Sequence, residues 1–270
     1  MFEFLVVAGV VVMSIALLTF TSPLLRKLGG LCVLVASFLA GYFLSGKVWV
    51  GAACVVSWFF MPWLEILTRI RKLRLPLDRV LGKQRAPSRD RFPGLPAMTK
   101  EIGEEGFEFV EDTGWEWNEI RQFVRVFYHP EKKIQATVNL NEQQQGAFAY
   151  VTLSSRANES TYMTWNYPFA PTMKFSPSLV VNRALWAENF VDLLQSHEGF
   201  VGRQGFWRED YEEVDPDSLA ELMQKETRQQ IDHNLDEGLI KLSGEGTFRY
   251  SWRGMFFLWF QFLKDMVRLS

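Results

Sequence analysis

Three long apolar runs occupy the first quarter of the chain, and each is continuous rather than periodic. They cover residues 4–20, 28–45 and 48–67, and the only charged residue within them is Glu65, near the end of the third run. A helix needs about 20 apolar residues to cross a hydrocarbon core of roughly 30 Å, with about 17 as the lower limit. The pattern therefore predicts three transmembrane helices. A cleaved signal peptide is the alternative for the first run, but no basic residue precedes it and no small-residue cleavage site follows it.

Basic residues flank these runs unequally, which predicts the orientation of the chain in a membrane. Arg26 and Lys27 lie between the first and second runs and nine basic residues follow the third, whereas the turn between the second and third holds only Lys47. Cytoplasmic segments carry an excess of Lys and Arg. We therefore expect a multi-pass protein of the cell membrane (inner or plasma), with its N-terminus outside and its C-terminal body in the cytoplasm. A re-entrant hairpin formed by the second and third runs would still leave that body cytoplasmic.

Small side chains recur at four-residue spacing in the second run. Ala36 and Ala40 form one such pair, and Ser37 and Gly41 form another. Small residues at this spacing allow a second helix to approach closely. We expect these four residues to pack against helices of the same chain, with contact to another subunit as the alternative. Pro62 is expected to kink the third helix.

Beyond residue 97 the pattern changes to alternating runs and amphipathic helices. A short helix is predicted at residues 98–106, and four alternating runs joined by short loops predict an antiparallel β-meander. Two amphipathic helices follow and are expected to cover one face of this sheet, so the predicted fold class is an α+β membrane protein. The four strand runs are residues 121–129, 133–140, 147–155 and 161–169, and the two helices are residues 178–196 and 217–238.

The last nineteen residues predict an amphipathic helix of unusual composition. Trp252 and Trp259 fall on an aromatic face, while Lys264 and Arg268 fall on the opposite, basic face. Its uncharged part is too short to cross a membrane. An aromatic face opposite a basic face is typical of a helix at the membrane interface. Packing of this helix into the body is an equally weighted alternative.

Composition alone suggests an ordinary soluble protein, but the distribution of charge does not. The chain of 270 residues is 48% hydrophobic and has a net charge of −2. This total combines +1 over residues 1–68, +7 over 69–91 and −10 over 92–270. We predict four segments: transmembrane helices (1–68), a basic juxtamembrane segment with a proline-rich linker (69–97), a cytoplasmic α+β domain (98–251) and the final helix (252–270).

The basic segment predicts contact with anionic lipid head groups. Each basic residue near such a surface contributes about 1 kcal/mol of attraction. Nucleic-acid binding is the alternative, but the acidic body would repel phosphate and no recognition motif follows. The residues expected at the lipid interface are Arg69, Arg71, Lys72, Arg74, Trp252, Trp259, Lys264 and Arg268.

Candidate chemistry is sparse. The three histidines, His129, His197 and His233, are expected to have surface or capping roles, and both cysteines fall in the apolar runs. No phosphate-binding loop, nucleophile elbow or metal-ligand spacing is recognisable in the sequence. We therefore predict no catalytic site, no metal site and no cofactor, although a site assembled from distant residues would leave no local pattern of this kind.

These observations favour a non-enzymatic membrane protein whose cytoplasmic domain binds a protein partner or a second copy. It would act as an accessory or scaffold subunit of a membrane complex, or as a tethered adaptor. The runner-up is a membrane-bound enzyme acting on a lipid or lipid-linked substrate, which a deep pocket with converging carboxylates or histidines would favour. A third option, an ion-conducting assembly, requires several copies around a polar lumen.

Deletion of residues 252–270 tests the role of the final helix. We expect the body to lose protection from hydrogen exchange because one attachment point disappears, while the protein stays in the membrane fraction through its three apolar helices. Unchanged hydrogen exchange across the body would contradict the idea that this helix attaches the body to the membrane.

Overall fold

The computed structural model describes residues 2–20, 22–88, 90–143, 146–244 and 246–269, with only the backbone described at 23, 143 and 267–269. Helices and strands alternate irregularly after an all-helical start. The helices are α1 (Phe2–Leu18), α2 (Pro23–Ser45), α3 (Val48–Thr68), α4 (Leu95–Glu104), α5 (Phe190–Arg203), α6 (Leu219–Asp236) and α7 (Trp252–Leu269). The strands are β1 (Leu75–Pro76), β2 (Gly82–Lys83), β3 (Glu108–Trp117), β4 (Ile120–His129), β5 (Ile134–Gln143), β6 (Gly146–Ala157), β7 (Ser160–Trp165), β8 (Leu179–Arg183), β9 (Ile240–Leu242) and β10 (Thr247–Tyr250).

Contacts divide the chain into two compact units. The helical unit comprises Met1–Leu73, Ala170–Thr172 and Arg249–Ser270, and therefore contains α1, α2, α3 and α7. The sheet unit comprises Arg74–Phe169 and Met173–Phe248.

The helical unit contains the apolar helices that the sequence predicts. Among the described residues, Leu24–Ser45 and Val48–Lys72 are long and apolar enough to cross a membrane, which confirms two such helices, whereas α1 is shorter at 17 residues. α2 begins at Pro23, five residues earlier than predicted, so Arg26 and Lys27 lie in its first turns rather than in a loop. Proline is favoured in the first turn because its missing N–H would be unbonded there in any case.

α1, α2 and α3 pack through small groups. The Ser14 hydroxyl of α1 donates to the carbonyl of Gly29 on α2 at 2.8 Å. Gly41 of α2 and Gly51 of α3 meet so closely that a Cβ at position 41 would lie 3.0 Å from the Gly51 Cα. Beside this contact, Ser37 accepts a hydrogen bond from the Trp58 indole at 2.9 Å. Of the four small residues predicted to pack in the second run, Ala36 and Gly41 are buried, and Ser37 and Ala40 are partly buried.

The sheet unit is built on seven strands in the order β2-β3-β4-β5-β6-β7-β8. Neighbouring strands are antiparallel, as predicted, except that β8 pairs parallel to β7. The four predicted runs correspond to β4 through β7. The β6–β7 turn consists of Asn158 and Glu159, both with positive φ (51° and 59°), which is the backbone shape that a two-residue hairpin requires.

The strand β3 is absent from the predicted elements because polar residues and a glycine interrupt its apolar pattern. The glycine is needed at this place: a Cβ on Gly114 would lie 2.1 Å from the backbone oxygen of Gln122 on β4. β3 pairs with β4 along its length, from Glu108 opposite Tyr128 to Trp117 opposite Ile120. Close backbone approach, rather than propensity, explains the glycine.

The helix predicted at residues 178–196 is wrong in its first half. Leu179–Arg183 forms β8, and α5 begins only at Phe190. Two adjacent valines favour a strand, and pairing with β7 supplies the partner that the sequence pattern did not show. The Asn189 side chain caps α5 by accepting from the Asp192 backbone N–H at 2.9 Å.

Helices cover both faces of the sheet, so the prediction of a single covered face is wrong. On one face, α4 and α5 pack over a large apolar cluster that includes Phe127 and Leu153. On the other, Leu219 of α6 packs against Val124 and Val126. Alternate residues of β4 point to opposite faces, and both sets are apolar, so each face recruits its own helix.

A second, three-stranded sheet has the order β1-β10-β9. α3 is followed by a single 3₁₀ turn, Ile70–Lys72, after which the chain becomes extended and Leu75 pairs with Phe248. Pro76 explains this change because a residue before proline avoids helical backbone angles.

Substitution of Gly51 tests the close contact between α2 and α3. A Cβ there would lie 2.7 Å from the Phe38 backbone oxygen, so we expect Gly51→Ala to lower the unfolding midpoint by overpacking, at a cost of about 1–3 kcal/mol. Gly9→Ala is the matched control, since no atom lies within 4 Å of its Cβ position. Thermal unfolding in detergent measures both. Equal midpoints for the two variants would contradict the contact.

Candidate membrane interface and surface groove

The first candidate site lies in the helical unit, where α7 packs along α3. The Trp63 ring of α3 meets Phe256 edge-on at 4.9 Å and lies 6.3 Å from Trp259. Arg71 contacts Trp252, whereas Phe59 contacts Trp259. Residues later in α7 therefore contact residues earlier in α3 and its following turn. The two helices run antiparallel to each other.

Trp259 donates a hydrogen bond to α3 in the turn that precedes Pro62. Pro62 has no N–H to donate to the turn before it, and its ring disturbs the carbonyls there. The Trp259 indole N–H donates to the Phe59 carbonyl, in that same turn, at 2.7 Å. The role of Trp259 in this structure is therefore contact with α3.

α7 has a buried face and an exposed aromatic stripe. Met255 and Leu258 are buried, as is Asp265, whose carboxylate accepts the Ala170 backbone N–H at 2.7 and 2.9 Å. The exposed stripe repeats every four residues, as one face of a helix does. It consists of Trp252, Phe256 and Phe260, which are 55%, 55% and 52% exposed.

Cations border this stripe. The Arg71 guanidinium lies over the Trp252 ring at 5.6 Å, and the Lys264 ammonium lies over Phe260 at 4.5 Å. Lys72 is exposed beside Arg71, and Arg69 pairs with Glu65 at 3.0 Å. The structure brings these predicted residues together with the aromatic stripe.

Two predicted interface residues do not join this group. Arg74 belongs to the sheet unit, where its backbone oxygen accepts from the Trp117 indole at 2.8 Å. The Arg268 side chain lies outside the described residues. Lipid contact by the predicted residues stays a prediction.

The second candidate site is a groove of about 470 Å³ in the sheet unit, between the segment 78–80 and α6. One wall consists of Ser218, which directly precedes α6, and of successive turns of α6 that present Glu221, Leu222, Lys225 and Arg228. The other wall consists of Asp78, Arg79 and Val80. Both signs of charge line it. The sequence predicts α6 as an amphipathic helix, and polar side chains of this helix line one wall of the groove.

Charge pairs define the ends of the groove. The Arg228 guanidinium donates to Asp232 at 3.0 Å and to Asp78 at 2.5 Å. Both hydrogen bonds raise the pKa of Arg228, and the bond to Asp232 has the larger effect. Arg79 lies over the Trp115 ring at 4.8 Å. Arg228 thereby connects segment 78–80, which forms one wall of the groove, to α6, which forms the other.

A partly buried ion pair holds α6 on the sheet. Arg156 of β6 donates to Glu226 of α6 at 2.8 Å and to Gln135 of β5 at 2.9 Å. Glu226 also accepts from the Thr161 hydroxyl at 2.8 Å. Each charged group is matched by hydrogen bonds, which burial of a charge requires. The network fixes which face of α6 meets the sheet, and thus which face lines the groove.

His197 is fully buried, so its expected surface or capping role is wrong. Its Nε2 lies 2.9 Å from the Ser155 hydroxyl and its Nδ1 lies 3.0 Å from the Thr164 hydroxyl. Burial lowers the pKa of His197 to about 3. A serine beside a histidine has the elements of a nucleophile and its base, but this pair is enclosed in the core between α5 and the sheet.

His129 is nearly buried at a hairpin. Its ring packs edge-on against Phe107, and its Nδ1 accepts from the Lys132 backbone N–H at 3.3 Å. Burial is the main cause that lowers the pKa of His129. His129 thus has contacts only of a packing and capping kind here: its ring packs on Phe107, and its Nδ1 caps the turn at Lys132.

No group of three or more His, Cys, Asp or Glu side chains within the described ranges has the arrangement to hold a metal ion. No protein-family model, curated protein or solved structure matches the chain. The candidate sites therefore depend on their geometry alone.

The buried His197 predicts a pH-dependent stability. Its pKa is about 3 in the fold and near 6.5 in the unfolded chain, so below pH 6.5 the unfolded chain takes up a proton that the fold excludes. The free energy of unfolding should fall as the pH is lowered from 6.5 toward 3, by at most about 1.4 kcal/mol per pH unit from this residue.

Denaturant titration of the full chain in detergent at neutral and mildly acidic pH measures this dependence. We expect His197→Gln to be less stable at neutral pH, because packing is lost, but to show a flatter pH dependence. Val201→Ala, which loses packing on the same helix but removes no titratable group, should be less stable but keep the wild-type slope. An unchanged slope in His197→Gln would rule out this source of acid sensitivity.

Proposed function

We propose that this protein is a three-span membrane protein whose cytoplasmic body binds a protein partner through the groove along α6. The groove carries the partner-binding part of the proposal, and the exposed apolar surface of the helical unit carries the membrane part.

The exposed side chains of the helical unit support membrane insertion. Soluble proteins rarely expose contiguous apolar patches larger than a few hundred Å². The large apolar side chains exposed on α1, α2 and α3 include Phe4, Val12, Leu24, Leu44, Trp49, Phe60 and Leu64. Lipid tails would cover such a surface without cost.

We propose that α1 also crosses the membrane, in addition to α2 and α3, although it is short. At 1.5 Å per residue its 17 residues measure about 25 Å, which a locally thinned bilayer accommodates. Its Ser14 bond to α2 supplies a polar contact within the membrane. The orientation rests on Arg26, Lys27 and the basic turn after α3 on one side, against Lys47 on the other.

The composition of the groove favours a protein partner over a small ligand. Small-molecule pockets are lined mostly by apolar side chains, whereas this groove presents charges of both signs around two apolar residues. Val80, which is 70% exposed, and Leu222 supply an apolar centre, and Lys225 and Glu221 supply a polar rim. An apolar centre with a charged rim is the usual anatomy of a protein interface.

The alternative, a membrane-bound enzyme acting on a lipid-linked substrate, has one observation in its favour. Ser155 and His197 form a hydroxyl–imidazole pair at 2.9 Å. Both residues are 0% exposed, so a substrate would reach them only after the core opened. We therefore rank partner binding first.

Membrane extraction and site-specific labelling test the topology. We expect the full chain to resist alkaline extraction, since apolar helices remain in the bilayer. Single cysteines placed at Lys47 and at Lys100, in a chain whose two natural cysteines are replaced by alanine, should be labelled by an impermeant reagent from outside and from the cytoplasm, respectively. Extraction into the soluble fraction, or labelling of both positions from one side, would contradict the proposal.

Purification from native membranes tests partner binding. We expect a complex of defined composition with the wild-type chain, and about tenfold less bound partner with Lys225→Glu, because the charge on the groove rim is reversed. Lys100→Glu, an exposed lysine on α4 over the other face of the sheet, is the control and should retain the partner. The same recovery with both variants would place the interface elsewhere, and a monomeric wild-type chain would exclude a stable partner.

A further inference from the structure

We propose that the occupant of the groove along α6 is a second copy of this chain, docked by antiparallel contact between the α6 helices of the two copies. This inference rests on the proposed partner-binding groove and names the partner that the groove takes. The two copies would be related by a two-fold axis at the level of Met223, so each contact between unlike residues would occur twice.

The outward face of α6 carries two opposite charges in the middle of the groove. Glu221 and Lys225 are both exposed and lie about one helical turn apart, so their side chains share one face. They form no ion pair with each other or with another side chain in the part of the chain that the structure describes. Arg228, by contrast, is paired with Asp78 and Asp232. Glu221 and Lys225 are therefore the charges of α6 at the groove that remain for a partner.

Two-fold symmetry makes these two charges complementary to themselves. In an antiparallel pair of identical helices, the numbers of two facing residues have a constant sum, because each step forward on one helix is a step back on the other. With the centre at Met223, Glu221 of one copy faces Lys225 of the other. The same symmetry brings Lys225 of the first copy opposite Glu221 of the second. Both facing pairs are attractive.

Other registers of the same two helices place like charges opposite each other. A centre at Lys225 sets this residue opposite its own copy. A further shift sets Lys225 opposite Arg228. The same shift sets Glu221 opposite Asp232, so both facing pairs repel. Like charges in close contact are destabilising. Of these three registers, the one centred at Met223 is the one that pairs unlike charges.

The overall charge of the sheet unit restricts where two copies can meet. This unit contains 19 basic and 28 acidic residues, a net charge of −9, so two copies repel each other over most of their surfaces. The groove and its charge pairs are locally neutral, because they combine three basic with three acidic residues: Arg79, Lys225, Arg228, Asp78, Glu221 and Asp232. A second copy can therefore approach the groove without net repulsion.

Apolar side chains lie near the centre of this register. Leu222 is one residue from the axis, so it would lie close to its own copy, and Val80 on the other wall of the groove is 70% exposed. Residues 219–227 of each α6 would overlap, or about 13 Å of helix. An apolar centre surrounded by paired charges is the usual anatomy of a protein interface. Because the overlap is short, dimer formation should depend on protein concentration.

Size-exclusion chromatography with light scattering tests a second copy as the partner. The full chain in detergent is measured over a range of protein concentrations, with the detergent mass subtracted. We expect the wild-type chain to dimerise. Glu221→Lys or Lys225→Glu alone should raise the dissociation constant at least about tenfold, because two facing pairs become repulsive at once. Lys100→Glu and Glu104→Lys, at an exposed ion pair on α4, are the matched controls and should behave as the wild type does.

A mixture of the two α6 variants gives a sharper test. A chain with Glu221→Lys and a chain with Lys225→Glu carry opposite charges at both facing positions. Together they should form a heterodimer with about wild-type affinity, although each pairs weakly with itself. The double variant Glu221→Lys/Lys225→Glu should restore the homodimer for the same reason. An interface with an unrelated protein, or one in another part of this chain, gives no such rescue.

A monomeric wild-type chain at all concentrations would overturn the inference. Single variants that dimerise like the wild type would overturn it too, as would a mixture that forms no heterodimer. The proposed function of the groove fails in a different way. A different protein recovered from native membranes and lost with Lys225→Glu would support the groove but overturn the second copy, whereas recovery unaffected by Lys225→Glu would contradict the groove itself.

Discussion

Hydrogen bonds between distant parts of the chain position one helix in each of the two units. In the helical unit, the Phe59 carbonyl in the turn disturbed by Pro62 accepts the Trp259 indole, which places α7 against α3. In the sheet unit, the charge of Arg156 is matched by Glu226, which places α6 against β6. A polar group left without a partner costs about 1–3 kcal/mol or more. Helix positions that leave such groups unbonded are therefore excluded.

The two helices placed in this way create the two candidate sites. The Arg156–Glu226 pair contributes little net stability, because desolvation offsets its attraction, but removal of either partner would leave an uncompensated charge. Its effect is orientation: it turns Lys225 and Glu221 outward to line the groove. Trp259 has the corresponding effect on α7, since its bond to Phe59 turns Trp252, Phe256 and Phe260 outward. These polar contacts thus shape the two candidate sites by fixing the positions of the helices, rather than by adding stability.

The two units also differ in the charge and polarity of their surfaces. The helical unit carries exposed apolar side chains, and cations lie beside both ends of the aromatic stripe of α7. The sheet unit belongs to the acidic part of the chain, and its groove presents both signs of charge around a small apolar centre. Under the proposed function, a membrane-inserted helical unit and a partner-binding groove on the sheet unit would combine membrane attachment with recruitment of a partner.

Local patterns in the sequence determined the elements whose signal is continuous: the apolar helices, strands β4 through β7, and α6 and α7. Period and length suffice for these because one face or the whole surface is apolar. The tertiary structure decided the rest. β3 required a glycine opposite Gln122, β8 exists because β7 offers an edge, and the helices divide between two faces because β4 is apolar on both. The sites likewise join residues as distant as Arg71 and Trp252 or Asp78 and Arg228. Sequence patterns report what a residue prefers along its own helix or strand, whereas only the fold determines which distant groups come close enough to interact.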